Sequence, residues 1–188
     1  LEAAGDLLES EGPQALTVRR IASMAGVAPM GVYNHFESKS GVLDHLFIQG
    51  FDRLRRALQE TSAIEDPVEA LVEGCRRYRT LALENPEVYR LMFLSGVSNF
   101  EPGVDAKEAA LTAFGALLRC VQRAVDAGLM PERDVSMAAQ MIWSGLHGWV
   151  ALELDGMTFV EERDGAAEMW FVSLINGVSG TNAKPQER

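Results

Sequence analysis

The sequence predicts an all-α protein, on three observations. Alanine, leucine, glutamate and methionine recur at three- and four-residue spacings, the apolar period of helices rather than strands. The seven prolines fall mostly at segment edges, where they open or end helices instead of breaking them. Hydrophobic residues make up 47% of the 188, enough for a substantial core in one domain or in a small domain joined to a larger one.

Each helix has its own signals. Leu1, Ala4, Leu7 and Leu8 form one apolar face that stops near Gly12-Pro13. Thr17 is a suitable N-cap for a short second helix burying Val18, Ile21, Ala22 and Ala25. Gly26 tolerates a left-handed turn, after which Ala28 to Phe36 form a third helix. A fourth opens at Ser38 and buries Leu43, Phe47, Phe51, Leu54 and Leu58 along one stripe, and Asp66-Pro67 ends the linker after it. A fifth runs from Val68 to Glu84. Asn85-Pro86 forces a break before a short helix over Val88 to Phe93, and Ser95 to Val104 reads as a loop. Asp105 with Glu108 has capping-box spacing and Gly128 suits a helix end, so a long helix fits between them. Pro131 opens the next, ending by Gly156, and Thr158 with Glu161 repeats the capping-box spacing before a last helix reaching Val178. That makes about nine helices.

The formal charge of −10 argues against a surface that coats nucleic acid throughout, but the charge is unevenly distributed. Residues 1–56 carry six Lys/Arg against seven Asp/Glu, leaving eleven against twenty for residues 57–188. A near-neutral N-terminal part can present a local basic face while the acidic remainder points away from DNA. The chain begins at Leu1 without a methionine and inside a helical pattern, so further residues are expected before it. Cys75 and Cys120 offer neither a disulfide framework nor metal-ligand spacing, which with no visible signal peptide suggests a reduced cytoplasmic setting. Val135 to Leu152 lacks charge but contains Ser136, Gln140, Ser144 and His147, and reads as a helix buried in protein rather than a membrane span.

Function is concentrated between Thr17 and Lys39. A helix-turn-helix needs a small residue where its helices cross, a turn residue that accepts the left-handed conformation, and an inward apolar residue on the second helix. Ala22, Gly26 and Val32 meet these needs at spacings of four and six. Their surroundings, Thr17-Val-Arg-Arg-Ile-Ala22, Ala25-Gly-Val27 and Gly31-Val-Tyr-Asn-His-Phe-Glu-Ser-Lys39, resemble the DNA-binding domain of the TetR family over Leu1 to Phe51. Trp143-Ser-Gly-Leu-His-Gly-Trp149, followed by Leu152-Glu-Leu, is similar to the tryptophan and histidine-glycine signature of one TetR subgroup.

The resemblance implies a helix-turn-helix domain over 1–51, a larger ligand-binding and dimerisation domain over 52–180, and a flexible tail over 181–188. It implies that Ala28 to His35 is the recognition helix, with Pro29, Met30 and Gly31 nearest the base edges. Tyr33, His35 and Lys39 would contact phosphates, with Thr17, Arg19 and Asn34 adding DNA contacts. The Pro-Met-Gly tip carries no side chain for bidentate hydrogen bonds to guanine or adenine, so specificity is expected to rest on methyl contacts to thymine and on groove shape. Gly41 departs from the family pattern and is expected to cost its helix about 1 kcal/mol relative to alanine.

The uncharged stretches Val135–Leu152 and Met169–Ala183 fall on the last two helices, and a subunit of this size cannot cover both, so a second copy is the expected cover. Ser144, Gly145, Gly148 and Ala151 allow close approach, and Trp170, Ser173 and Leu174 complete the expected interface. Tyr78, Met92, Phe93, Phe114, Leu117, Met141, Trp143 and His147 suit a mainly apolar site for an apolar or aromatic small molecule bound among the fifth to eighth helices. His147 needs a polar partner: a ligand, a carbonyl or the other subunit. The expectation is a homodimeric repressor that binds a palindromic operator and is released by a small effector, with no cofactor and no metal. A dimeric DNA-binding regulator that answers to a protein partner, or to no effector, is the alternative. A helical-bundle enzyme is remote: none of His35, His45 or His147 has the glutamate three residues earlier that di-metal bundles use, and no phosphate loop or catalytic triad is visible.

Overall fold

The computed structural model describes residues 1–93, 100–131 and 134–179. Residues 95–99 of the loop expected over Ser95–Val104 and the whole tail over 181–188 lie outside the described residues. Among those residues the protein has nine α-helices and no strand: α1 (Glu2–Glu11), α2 (Val18–Ala25), α3 (Pro29–Phe36), α4 (Lys39–Glu60), α5 (Pro67–Glu84), α6 (Pro86–Phe93), α7 (Val104–Asp126), α8 (Val135–Leu154) and α9 (Arg163–Ser179). A 3-10 turn, Thr61–Ala63, follows α4.

The chain forms two compact units, residues Leu1–Arg56 with Thr80–Phe114 and residues Ala57–Arg79 with Gly115–Arg188. In the first, α1 buries Ala4, Leu7 and Leu8, and α4 buries Val42, Leu43, Leu46, Phe47 and Phe51. Phe51 meets Phe93 edge-on at 5.1 Å, and Phe93 lies 5.0 Å from Tyr89, an aromatic cluster linking α4 to α6.

Two carboxylates of this unit cap helices distant in sequence. Glu9 on α1 accepts from the backbone N–H groups of Glu87 and Val88 at 3.0 and 2.9 Å, satisfying two donors in the first turn of α6. Asp44 on α4 accepts from the Gly103 N–H at 2.9 Å, where α7 begins.

The second unit buries Leu71, Cys75 and Tyr78 of α5, Val121 and Ala124 of α7, Ile142, Leu146 and Val150 of α8, and Phe171 and Ile175 of α9. Desolvation pushes the Cys75 thiol up to about 12, in keeping with an inert core residue. Arginines of α5 tie this unit together. Arg76 forks onto Glu168 of α9 at 2.5 and 2.8 Å, and Arg79 forks onto the buried Glu153 of α8 at 2.6 and 2.7 Å while also reaching Asp164. Hydrogen bonds from Arg76 hold the Glu168 carboxyl below the usual carboxylate range, and those from Arg77 and Arg76 do the same for Glu73.

Helix starts are where the structure departs from expectation. α6 begins at Pro86 itself, in the first-turn position where a missing N–H costs nothing. α7 begins at Val104, and its cap comes from Asp44 rather than an Asp105–Glu108 capping box. Asp134, not Pro131, opens α8: its carboxylate accepts from Ser136 and Met137 N–H. Glu162 opens α9 by accepting from Asp164 and Gly165 N–H, five residues into the segment expected to begin with a Thr158 cap, and the Thr158 hydroxyl is buried without a partner.

Gly41 requires the plainest correction. A Cβ there would run into the Phe36 carbonyl oxygen, so glycine is needed at this position and the expected gain from alanine does not apply. That carbonyl is fixed by a γ-turn in which Ser38 N–H donates to it at 2.6 Å and Glu37 adopts φ 60°, ψ −39°.

Candidate functional site

The site is built from α2, the turn after it, and α3. Thr17 caps α2, its hydroxyl accepting the Arg20 N–H at 3.3 Å. Ile21 and Ala22 face inward, and Gly26 ends the helix in the left-handed conformation, φ 67°, ψ 29°, with the Val27 N–H returning to the Ala22 carbonyl at 2.9 Å. Ala28 then stands at the cap position and Pro29 supplies the first helical φ of α3. Val32 is the one buried residue of α3 and fixes its rotation against α2.

That rotation turns the expected contact residues outward. Thr17, Arg19, Ala28, Pro29, Met30, Tyr33, Asn34 and His35 are all exposed, Met30 at 65% and Tyr33 at 48%. Gly31 is half-buried against Val27. Arg20 is different from its exposed neighbour Arg19, because it forks onto Glu11 at 2.5 and 2.8 Å and its hydrogen bond holds that carboxyl below the usual range. Lys39 is half-buried and donates to the Pro13 carbonyl at 3.2 Å, which leaves two of its three N–H donors for another acceptor. His45 closes the far end of the site: its Nδ1 bonds the Gly41 carbonyl at 2.7 Å, and its ring stands edge-on to Phe36 at 4.9 Å. Sequence reasoning missed Val27, half-exposed beside the helix start; an apolar side chain in the turn was the available signal.

The residues expected to meet a ligand are drawn from both units. Tyr78, Leu117, Met141, Trp143 and His147 belong to the second unit and Met92, Phe93 and Phe114 to the first. Within the second, the Tyr78 hydroxyl lies 3.3 Å from His147 Nδ1, and the Trp143 and His147 rings lie 6.2 Å apart. Desolvation lowers the His147 pKa, favouring the neutral imidazole. Met141 stands apart from this cluster, 46% exposed on an outward stripe of α8 that also carries Met137, Ser144, Gly148 and Leu152. Within the first unit, Met92 presses on Gly50 and Phe93 joins the aromatic cluster already described.

The expected interface residues divide as well. Ser173 is exposed on α9 beside Met169 and Val172, and Trp170 stacks on Trp149 at 6.1 Å. Ala151 is half-buried. Leu174 instead fills the space over Gly145 of its own chain, where a Cβ would come within 2.8 Å of it, so this pair joins α8 to α9 within one subunit. No cluster of three or more candidate metal ligands occurs among the described residues, and no helix among them is long and apolar enough to cross a membrane.

The sequence profile described as "Bacterial regulatory proteins, tetR family" matches residues 1–46, the segment holding α1 to α3, and that described as "Tetracyclin repressor-like, C-terminal domain" matches residues 71–174. The chain belongs to the TetR family. It is therefore a DNA-binding transcriptional regulator and not an enzyme. It is 27% identical over 157 residues, 84% of its length and 69% of the relative's, to an uncharacterized HTH-type transcriptional regulator of Mycobacterium tuberculosis. A Rhodococcus sp. RHA1 protein of unknown function shares the fold with a TM-score of 0.83 at 24% identity, covering 95% of this chain and 93% of the other. The TetR family transcriptional regulator PfmR from Thermus thermophilus shares it at 0.68 and 22% identity, covering 95% of both.

Proposed function

We propose that this TetR-family regulator is a homodimeric repressor that binds a two-fold-symmetric operator through α3 and leaves it when an apolar or aromatic molecule binds its C-terminal domain. The observation that carries the DNA half of this reading is the outward row Pro29, Met30, Tyr33, Asn34 and His35 on a helix whose one buried residue is Val32. Tyr33, His35, Lys39, Thr17 and Arg19 are assigned to the sugar-phosphate backbone, where they set register without reading sequence. Residues 1–51 are taken as the DNA-binding part, residues 52–180 as the regulatory part, and the cytoplasm as the place of work, where the operator is.

The dimer is supported by the outward stripe of α8 and by Met169, Val172 and Ser173 on α9. Gly148 and Gly177 lie on these two helices, and a Cβ at either would meet nothing within 4 Å. Their lack of a side chain has no use inside the subunit and suits a close helix contact with a second copy. Met141 is reassigned to this contact. The effector half rests on Trp143, Tyr78 and neutral His147, an apolar cluster with two polar handles. A ligand that prefers the DNA-incompetent form by about 1–3 kcal/mol changes operator affinity roughly 5- to 150-fold, and operator must weaken ligand binding by the same factor.

The reading is tested with Tyr33→Phe and Lys39→Ala. Both should weaken binding to all duplexes alike, and Lys39→Ala should lower the slope of log affinity against log salt by about one. Unchanged affinity in both variants would remove the docking model.

A further inference from the structure

Gly31 occupies the first turn of α3, and glycine is the poorest helix former after proline. Two other helical glycines of this chain have an internal reason: Gly41 avoids the Phe36 carbonyl, and Gly145 receives Leu174. Gly31 has none, because a Cβ there would meet only Val27 side-chain atoms, at 3.9 and 4.0 Å, which is ordinary contact. Nothing among the described residues requires its bareness, as at Gly148 and Gly177. Around it the surface is apolar: Val27 is 50% exposed and lies against Gly31, Met30 is 65% exposed, and Pro29 has neither a donor nor a polar side chain. Of the two guanidinium groups on α2, that of Arg20 is held by Glu11.

We infer that Val27 and Met30 read the 5-methyl groups of thymines in the major groove, with Gly31 left bare so that the start of α3 can approach the base edges. This rests on the reading that α3 docks on DNA, and deepens it by naming what the tip recognises. Thymine alone among the four bases offers an apolar group in that groove, so an apolar reader selects it by burying its methyl. Asn34, one turn beyond Met30 and exposed, suits the adenine edge, and every adenine is paired with a thymine, so both features favour A·T pairs.

The test uses a duplex enriched by the wild-type protein from a random-sequence pool, then synthesised with deoxyuridine in place of thymidine. Burial of one methyl-sized group carries about a fourfold factor, so one contacted thymine in each of two half-sites gives about a fifteenfold weaker deoxyuridine duplex. The salt slope should not change, because no phosphate contact is lost. In the Val27→Ala/Met30→Ala variant the thymidine-to-deoxyuridine ratio should collapse toward one, a coupling that altered DNA flexibility alone would not produce. Gly31→Ala should fold at least as stably as the wild type yet bind the thymidine duplex more weakly. Equal wild-type affinity for the two duplexes, or a ratio that survives in the double variant, overturns the inference while leaving DNA binding intact. Failure of any sequence to enrich overturns the DNA-docking reading, and this inference with it.

Discussion

Gly41→Ala separates helix propensity from the geometry of the α3–α4 turn. By propensity alone the change should stabilise α4 by about 1 kcal/mol. In the structure the added Cβ runs into the Phe36 carbonyl oxygen and lies 3.0 Å from the carbonyl carbon. These atoms are backbone and cannot rotate away as a side-chain tip would. The carbonyl is held by the Ser38 N–H at 2.6 Å, and the Phe36 ring by His45 at 4.9 Å. Against backbone that cannot yield, the cost falls at the upper end of the usual range, about 2–3 kcal/mol, so the net after the helix gain is destabilisation by about 1–2 kcal/mol. For a chain of 150–250 residues that corresponds to a melting temperature lowered by roughly 2–8 °C. Thermal unfolding followed by circular dichroism at fixed protein concentration reads it. Gly50→Ala is the control: the atoms in its way belong to side chains, chiefly the flexible Met92 with Val88 Cγ1 at 3.1 Å, and the cost should be smaller. A Gly41→Ala protein as stable as the wild type, or more stable, would refute the reasoning.

Three further outcomes follow from other contacts. Glu9→Ala strips the first turn of α6 of the acceptor for two N–H groups and should cost about 1–3 kcal/mol in urea unfolding, with Glu9→Gln intermediate because one amide oxygen remains. Hydrogen bonds from Arg76 to Glu168, and from Arg77 and Arg76 to Glu73, lower the folded pKa of both carboxyls, so the stability they contribute is present above the unfolded carboxylate range and is lost as pH falls through the folded values. The urea midpoint should therefore decline below the ordinary glutamate range, about pH 4.3, and the Glu168 share of the decline should vanish in Arg76→Met while Arg77 keeps most of the Glu73 share. Gly148→Arg puts a charge on the uncovered face of α8 and should convert a dimer into monomers by sedimentation velocity at micromolar concentration, whereas a wild-type protein that is itself monomeric would remove the interface.

What the sequence made legible was local. Thr17, Gly26 and Val32 act within a few residues of themselves, so the helix-turn-helix could be read and its outward residues named before the fold was known. The stripe Leu43 to Leu58 likewise needed only a 3.6-residue period. Helix starts fixed by distant residues were not legible: Glu9 caps a helix 78 positions away, and Asp44 one 59 positions away. The Asp105–Glu108 and Thr158–Glu161 spacings looked like caps, but Asp44 and Glu162 took those roles. Gly41 misled for a related reason, since a propensity scale contains no Phe36 carbonyl. Leu174 was expected against a second copy; it lies over Gly145 of its own chain, a partner that a helical period cannot name.

The central claim, a two-fold dimer reading DNA with α3, is tested most directly by selecting duplexes from a random-sequence pool with the purified wild-type protein and sequencing what survives. Two recognition helices related by a two-fold axis should enrich an inverted repeat whose half-site centres lie about 34–36 Å apart, one turn of the double helix, or a multiple of that. Met30→Ala should shift the base preference inside each half-site while preserving their spacing. No enrichment, or an asymmetric site bound by a single subunit, would contradict the account.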